Sequence, residues 1–401
     1  MVRFRTLPAG IWFLGFVSLF MDMSSELIHS LLPVFMSTVL GASMATIGII
    51  EGAGEAAAAM TKVFSGAVSD YFGKRKLLVV IGYGLAAITK PVFPLAMSIG
   101  WVFTGRFVDR IGKGIRGAPR DALVADITPE GLRGAAFGLR QSLDSAGAFI
   151  GPLIALVFMA LLADNLRLVL WVAVVPAVIA VVLLLFGVKD PEGTKIRRNV
   201  RNPLSLVNAR HLSLRFWLIV LLGAVFTLAR FSEAFLILRA RDTGLAIGYI
   251  PLVMIVMNLV YTATAYPAGA AADRHSQRRL LIAGLFILLS ADVVLAAAGT
   301  PWTVFIGAAL WGLHMGLTQG LFAKLVADNA PADMRGTAFG FFNLINGAAV
   351  LFASMIAGAL WTAFGAPATF LAGGSFALLA AIGLIIFQGN HKSRMTAAGS
   401  A

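Results

Sequence analysis

Apolar runs of about 20 residues follow one another along almost the whole chain, broken only by short polar stretches. A helix of that length, rising about 1.5 Å per residue, spans the hydrocarbon core of a bilayer. The pattern predicts helices over 9–38, 44–68, 77–98, 101–124, 135–162, 168–188, 213–238, 248–271, 279–299, 301–326, 337–362 and 366–388. These twelve crossings fall six on each side of a longer polar stretch. The chain therefore reads as a six-helix bundle (1–188), a linker (189–212), a second six-helix bundle (213–388) and a tail (389–401).

The halves repeat each other at an offset of 202–203 residues. Gly66-Ala-Val-Ser-Asp70 followed by Lys74-Arg75-Lys76 returns as Gly269-Ala-Ala-Ala-Asp273 followed by Gln277-Arg278-Arg279. Leu123-Val-Ala-Asp126, Arg133-Gly134 and Ala136-Phe137-Gly138 return as Leu325-Val-Ala-Asp328, Arg335-Gly336 and Ala338-Phe339-Gly340. A period this long marks a duplicated half-protein, not a solenoid. In an apolar chain, parallel duplication is the layout of transporters that rock two halves about a central site.

Composition agrees. At 59% hydrophobic and 13% charged, with mean hydropathy +0.88, the chain lacks the polar surface of a soluble globule. The net charge of +13 raises the question of nucleic acid, and the placement of Lys and Arg answers it. Outside the predicted helices they gather at one side: Arg3, Arg5, Lys74–Lys76, Arg133, the stretch from Lys189 to Arg210, Arg274, Arg278, Lys392 and Arg394. Only Arg167, Arg239 and Arg241 fall in the opposite loops. This positive-inside bias predicts cytoplasmic termini and a basic linker lying against anionic lipid, with the bilayer and not nucleic acid as partner. There is no cysteine for disulfides or thiolate metal ligands, and no Asn-x-Ser/Thr acceptor site. The first apolar segment is too long for a cleaved signal peptide. The expected location is the cytoplasmic (inner) membrane of a prokaryote, with the chain a monomer.

Gly66-Ala-Val-Ser-Asp70-Tyr-Phe-Gly73-Lys74-Arg75-Lys76 resembles the loop signature between helices 2 and 3 of the major facilitator superfamily. Gly66 permits close helix approach, Gly73 suits a tight turn, and Asp70 and Arg75 can pair with neighbouring groups. The resemblance implies that these residues, with Asp273 and Arg278 of the second copy, form a cytoplasmic gate; there Ser276 replaces the usual glycine. On helix 5, Gly138, Gly147 and Gly151-Pro152 resemble the antiporter signature of the proton-linked drug exporters, although Ala155 and Leu156 depart from its continuation. The glycines allow close packing and Pro152 removes a backbone hydrogen bond, so this stretch is expected to act as a hinge. On helix 4, Gly112-Lys-Gly-Ile-Arg-Gly-Ala-Pro-Arg-Asp121 resembles a subgroup of prokaryotic facilitator transporters. The family implies an all-α integral membrane fold, twelve transmembrane helices in two pseudo-symmetric six-helix bundles, working by alternating access.

Helix 4 also carries Arg106, Asp109, Arg110, Lys113, Arg116 and Arg120 as one stripe. Each mid-bilayer charge costs about 2.5–3.5 kcal/mol on insertion scales, so the stripe is expected to face a cavity or acids. At helical spacing Asp109 can reach Arg106 and Lys113. Acids stand ready: Asp22, Glu26 and His29 on one face of helix 1, Glu51 and Glu55 on helix 2, and Asp144 beside Arg140 on helix 5. Asp22, Glu26 and Asp144, with Arg106, are the candidate proton-coupling groups. His29, Glu51, Glu55, Lys90, Arg110 and Arg140 are candidate cavity residues, joined from the second half by Arg230, Glu233, Asn258, His314, Asn343 and Asn346. The helix 1 and 2 acids and His29 also offer oxygen and nitrogen donors to a divalent ion, but several cations share that half. No resident metal or cofactor is expected.

No Gly-x-x-x-x-Gly-Lys-[Ser/Thr] segment supports ATP coupling, and no nucleophile–base motif supports an enzyme. The reading is a secondary transporter, with proton-coupled antiport exporting a small organic molecule. The alternatives are proton-coupled symport of a small organic anion, and divalent-metal export.

Overall fold

The computed structural model describes residues 7–72, 74–189, 212–274, 276–318, 321–331 and 334–398. The linker at 190–211 and Gly73 lie outside the described residues, as do the side chains of Asp70, Asp273 and Arg278. Described residues form helices throughout. The first half contains α1 (Ala9–Val34), α2 (Met44–Phe72), α3 (Arg75–Thr89, resumed as Val92–Leu95), α4 (Ile99–Ile127), α5 (Arg133–Leu161) and α6 (Leu166–Val172, resumed as Val174–Gly187). The second contains α7 (Leu214–Leu228, resumed as Ala234–Asp242), α8 (Leu252–Arg274), α9 (Gln277–Ala296), α10 (described over Pro301–Thr318 and Leu321–Asn329), α11 (Arg335–Phe364) and α12 (Ala366–Ala398).

Eight of these are long and apolar enough to cross a membrane: α1, α3, α5, α6, α8, α9, α11 and α12. The other four are instructive. α2 and α4 carry the buried residues Glu51, Arg106, Asp109, Arg110 and Arg116, α7 is interrupted at Ala229–Glu233, and α10 carries His314.

Local caps start several helices. Asn165 Oδ1 accepts the Leu168 N–H at 3.2 Å, and Ser213 Oγ accepts the Phe216 N–H at 3.2 Å. Ser276, which replaces the signature's glycine, caps α9 by accepting the Arg279 N–H at 3.3 Å. A hydroxyl that satisfies a helix N-terminus explains why serine is accommodated there.

The packing repeats as the sequence does. In the first half α1 packs on α5 and α6, α4 on α2 and α3, and α3 on α6. In the second half α7 packs on α11 and α12, α10 on α8 and α9, and α9 on α12. Adding six to each helix number converts one set into the other. The contacts between halves obey the same symmetry, with α2 against α11 and α5 against α8.

The two ends of the molecule differ. One apolar core spans both halves at the end bearing the α1–α2 turn, joining Leu31, Phe35 and Ile47 to Phe235, Ile250 and Trp361. At the other end, which carries the basic α2–α3 and α4–α5 connections, each half keeps its own core. Leu14, Tyr83, Val124 and Leu184 centre one; Phe216, Ile219, Val326 and Phe341 centre the other. The joined end is sealed by α2 against α11: a Cβ on Gly48 would run into the Ser354 carbonyl, and one on Gly358 into that of Met44. The Ala45 N–H donates to Thr362 Oγ1 at 3.1 Å across the same seam.

Candidate functional site

The charged stripe of α4 is buried, and acids of α2 answer part of it. Arg106 donates from Nη2 to Glu51 Oε2 at 2.7 Å, and Arg110 Nη2 lies 3.1 Å from Glu55 Oε1. Asp109 does not pair along its own helix. It accepts from Lys90 Nζ at 2.9 Å, and Lys90 also donates to Ser25 at 3.1 Å, tying α1, α3 and α4 together. Arg116 instead stacks 4.5 Å from the Tyr83 ring centre. Buried pairs of this kind are stable only when both partners are present.

At mid-depth the halves enclose a cavity of about 340 Å³. The first half contributes Glu26, His29, Glu55, Arg110 and Lys113. The second contributes Thr227, Arg230, Phe231, Ser232, Glu233, Trp311 and Val350. His29 Nδ1 is 3.4 Å from Glu26 Oε2, while its Nε2 is 4.0 Å from Glu51 and has no hydrogen-bond partner among the described residues. The interruption of α7 places three polar side chains, Arg230, Ser232 and Glu233, on the wall. The Ser232 N–H donates to Ser354 Oγ of α11 at 3.2 Å, and Ser232 Oγ accepts from the Ala234 N–H at 3.2 Å, so groups freed by the break are satisfied. Thr227 donates to Asn346 at 2.5 Å behind them.

A second cavity of about 300 Å³ adjoins the first. Glu55 and Lys113 border both. Its wall adds Asp22, Lys62, Arg116, Arg120 and Asp144. Asp22 of α1 and Asp144 of α5 thus face one cavity. Asp144 also lies 3.6 Å from Arg140 and 3.8 Å from Arg120. α5 reaches α1 through glycine: a Cβ on Gly151 would come within 2.6 Å of the Met23 carbonyl oxygen, and one on Gly147 would overlap that of Leu19. Gly138 differs, since a Cβ there meets nothing within 4 Å. α5 runs unbroken through Pro152.

The candidate residues thus separate. Glu26, His29, Glu55, Arg110, Arg230 and Glu233 line the central cavity, and Asp22 and Asp144 the adjoining one. Glu51 and Arg106 stand behind the central wall as a buried pair. Lys90 is fixed in its pair with Asp109, and Arg140 reaches Gln141 at 2.9 Å. Neither borders a cavity. Asn258 donates to the Ala148 carbonyl at 3.3 Å, joining α8 to α5, and Asn343 is half-buried on α11 away from both cavities. His314 points away from the centre, its Nδ1 2.7 Å from the Gly284 carbonyl of α9. In the gate loop Arg75 Nε is 2.8 Å from Asp126 Oδ2, which brings the first half's two repeated motifs together. A Cβ on Gly66 would touch Ala118 at 3.4 Å. The polar pattern does not single out Thr227, Phe231, Ser232 or Val350. The one sequence signal for the break is the run Arg230-Phe-Ser-Glu233 inside an apolar segment.

A family model described as the Major Facilitator Superfamily matches residues 13–239 and 231–400. An uncharacterised MFS-type transporter of Methanocaldococcus jannaschii is 31% identical over 394 residues, 96% of each chain. The inner membrane transport protein YajR of Escherichia coli is 25% identical over 393 residues, covering 94% of this chain and 82% of that protein. Among solved structures, a POT family transporter in complex with a thioalcohol-conjugated peptide matches with TM-score 0.80 over 96% of both chains. At 15% identity that likeness speaks for the fold alone.

Proposed function

The chain belongs to the Major Facilitator Superfamily, a family of secondary transporters, and from that premise we propose that it is a proton-coupled antiporter exporting a small organic molecule. The observation that carries the reading is the central cavity, lined from both halves and bordered at Glu55 and Lys113 by a second, carboxyl-bearing cavity. Cargo and proton then occupy neighbouring sites. Asp22 and Asp144 line that second cavity together with Lys113, Arg116 and Arg120, and these two carboxyl groups are our first candidates for the proton carrier. Glu26, bound to His29 on the cavity wall, is the second candidate.

The halves share a core at one end and keep separate cores at the basic end. With the basic end in the cytoplasm of a prokaryotic cell, as the positive-inside bias implies, this is the inward-facing form, ready to take cargo from within. Arg75–Asp126 would belong to the gate that closes that end in the opposite state.

Lys113 and Arg230 face the cavity without a carboxylate within 4.0 Å among the described residues, which favours anion symport as the second reading. A divalent cation would have to displace Arg106 and Arg110 from the acids they hold, and no group of three metal-ligating side chains occurs among the described residues. Reconstitution in liposomes loaded with a pH-sensitive dye tests the proposal. Pools of organic cations, organic anions, zwitterions, neutral solutes and divalent metals are added outside. Proton efflux driven by an organic pool is the expected result. Proton entry with the substrate overturns antiport in favour of symport, and a response to divalent metals alone overturns organic cargo.

A further inference from the structure

The charges of the central cavity name the class of cargo, provided that this cavity is the transport site. Three carboxylates (Glu26, Glu55, Glu233) and three cations (Arg110, Lys113, Arg230) line it. Two carboxylates are already engaged, Glu26 by His29 and Glu55 by Arg110. Three groups remain without an opposite charge within 4.0 Å among the described residues: Lys113 on one wall, and Arg230 and Glu233 on the other. Arg230 sits 5.8 Å from the Phe226 ring centre, a contact that fixes the guanidinium without neutralising it. The cavity thus presents, on its walls, both cations and a carboxylate that no ion pair occupies among the described residues.

We propose that the cargo is a small zwitterion, with an anionic group bound by Arg230 and Lys113, an ammonium group bound by Glu233, and an apolar or aromatic body. The body has its own surface. Phe231 and Trp311 form one wall with ring centres 5.3 Å apart, and Val350 adds to it. Trp311 is 1% exposed and its Nε1–H finds no acceptor among the described residues; His29 Nε2, 7% exposed on the facing half, is likewise unpartnered. Buried polar atoms without partners on a cavity wall are hydrogen-bonding capacity for a ligand. A simple cation would leave Arg230 and Lys113 unanswered, and a simple anion would be set against Glu233. Only a molecule with both signs satisfies the three free groups together.

The test is ligand-dependent thermal stabilisation of the purified full-length protein, using probes that share a body and differ in one charge. The probes are phenylalanine, tryptophan and the dipeptide Phe-Ala, each beside its C-terminal amide (cation only) and its N-acetyl form (anion only). At least one zwitterion is expected to stabilise the protein, with both single-charge partners at least tenfold weaker. Arg230→Gln should then erase the preference for zwitterion over amide. Glu233→Gln should erase the preference for zwitterion over the N-acetyl form and leave the other preference standing. Such opposite losses cannot come from general misfolding. Single-charge forms that bind as well as their zwitterions overturn the proposal. So does proton movement in liposomes driven only by singly charged pools, which leaves the transporter reading intact. Silence to every probe and every pool overturns both.

Discussion

The two halves share a fold but handle charge in opposite ways. In the first half the deepest charges are answered from within: Arg106 by Glu51, Arg110 by Glu55, Asp109 by Lys90. In the second half Arg230, Glu233, Asp292 and His314 have no opposite charge within 4.0 Å among the described residues. Symmetric packing therefore does not bring symmetric electrostatics. The first half resembles a pre-assembled ionic ladder, the arrangement that the proposed proton-handling role would draw on. The second half pairs Arg239 with Asp242, but leaves Arg230 and Glu233 on the cavity wall without an ion-pair partner among the described residues, which suits recognition. Lys113 connects them, a first-half cation without an ion-pair partner among the described residues on the wall both cavities share.

The largest test of this difference is Glu51→Gln. It leaves Arg106 buried without its 2.7 Å partner, and breaking a buried pair costs about 3–5 kcal/mol. Thermal unfolding in detergent should move down strongly, and Arg106→Gln added to Glu51→Gln should recover more than half of the loss. An unchanged unfolding curve for the single variant would mean that the ladder is not what holds α2 to α4.

Next is the seam between halves. Gly48→Leu pushes a side chain into the Ser354 carbonyl on α11, and overpacking of this kind costs about 1–3 kcal/mol. The cost falls on the form in which this end is closed, so the equilibrium should swing toward the other form by tenfold or more. The chain has no cysteine, so Val350→Cys gives a single reporter inside the cavity. Its labelling by a charged thiol reagent added from the α1–α2 turn side should accelerate in Gly48→Leu. Equal labelling rates would show that this seam does not control access.

Much of this was legible in the sequence and some was not, for physical reasons. Runs of 20 apolar residues and a 202-residue repeat suffice for the architecture, because a bilayer admits few solutions for such a pattern. Breaks in helices were less legible. The α3 interruption at Lys90–Pro91 has a proline to announce it, but α7 breaks at Ala229–Glu233 with neither glycine nor proline. There the helix yields to a tertiary bond from Ser232 to Ser354, 122 residues away. Partners were the least legible. Helical spacing puts Asp109 near Arg106 and Lys113, yet its carboxylate goes to Lys90 on another helix. His314 looked pore-facing for its polarity alone, and its hydrogen bond to Gly284 draws it toward α9. A periodicity assigns a residue to a face; it does not say which neighbour that face meets.

A smaller effect is expected at the gate loop. Arg75 and Asp126 are partly exposed, with side chains 18% and 30% accessible, and exposed pairs contribute about 0.2–1 kcal/mol. Arg75→Ala should lower thermal stability slightly, and by less again in 1 M salt, which weakens solvent-exposed ion pairs. A loss as large as that of Glu51→Gln would place the gate, rather than the membrane interior, at the centre of the first half's electrostatics.

The smallest effect should come from the most deeply buried acid of the second half. Asp292 on α9 is fully buried, packed against Gly373 and Gly374 of α12 and close to Phe231, and neither carboxyl oxygen has a hydrogen-bond partner among the described residues. No cation depends on it, so Asp292→Asn orphans nothing and keeps nearly the same volume. The loss of stability should be far smaller than in Glu51→Gln, and the choice between zwitterion and singly charged probes should stay as it was. This is where the comparison between halves is most exposed. The same exchange of carboxylate for amide at Glu51 is expected to be severe, because there a buried arginine is left behind. If Asp292→Asn proves as damaging as Glu51→Gln, the buried acid of the second half is held by a partnership as strong as that of Glu51, and the asymmetry between the two halves falls.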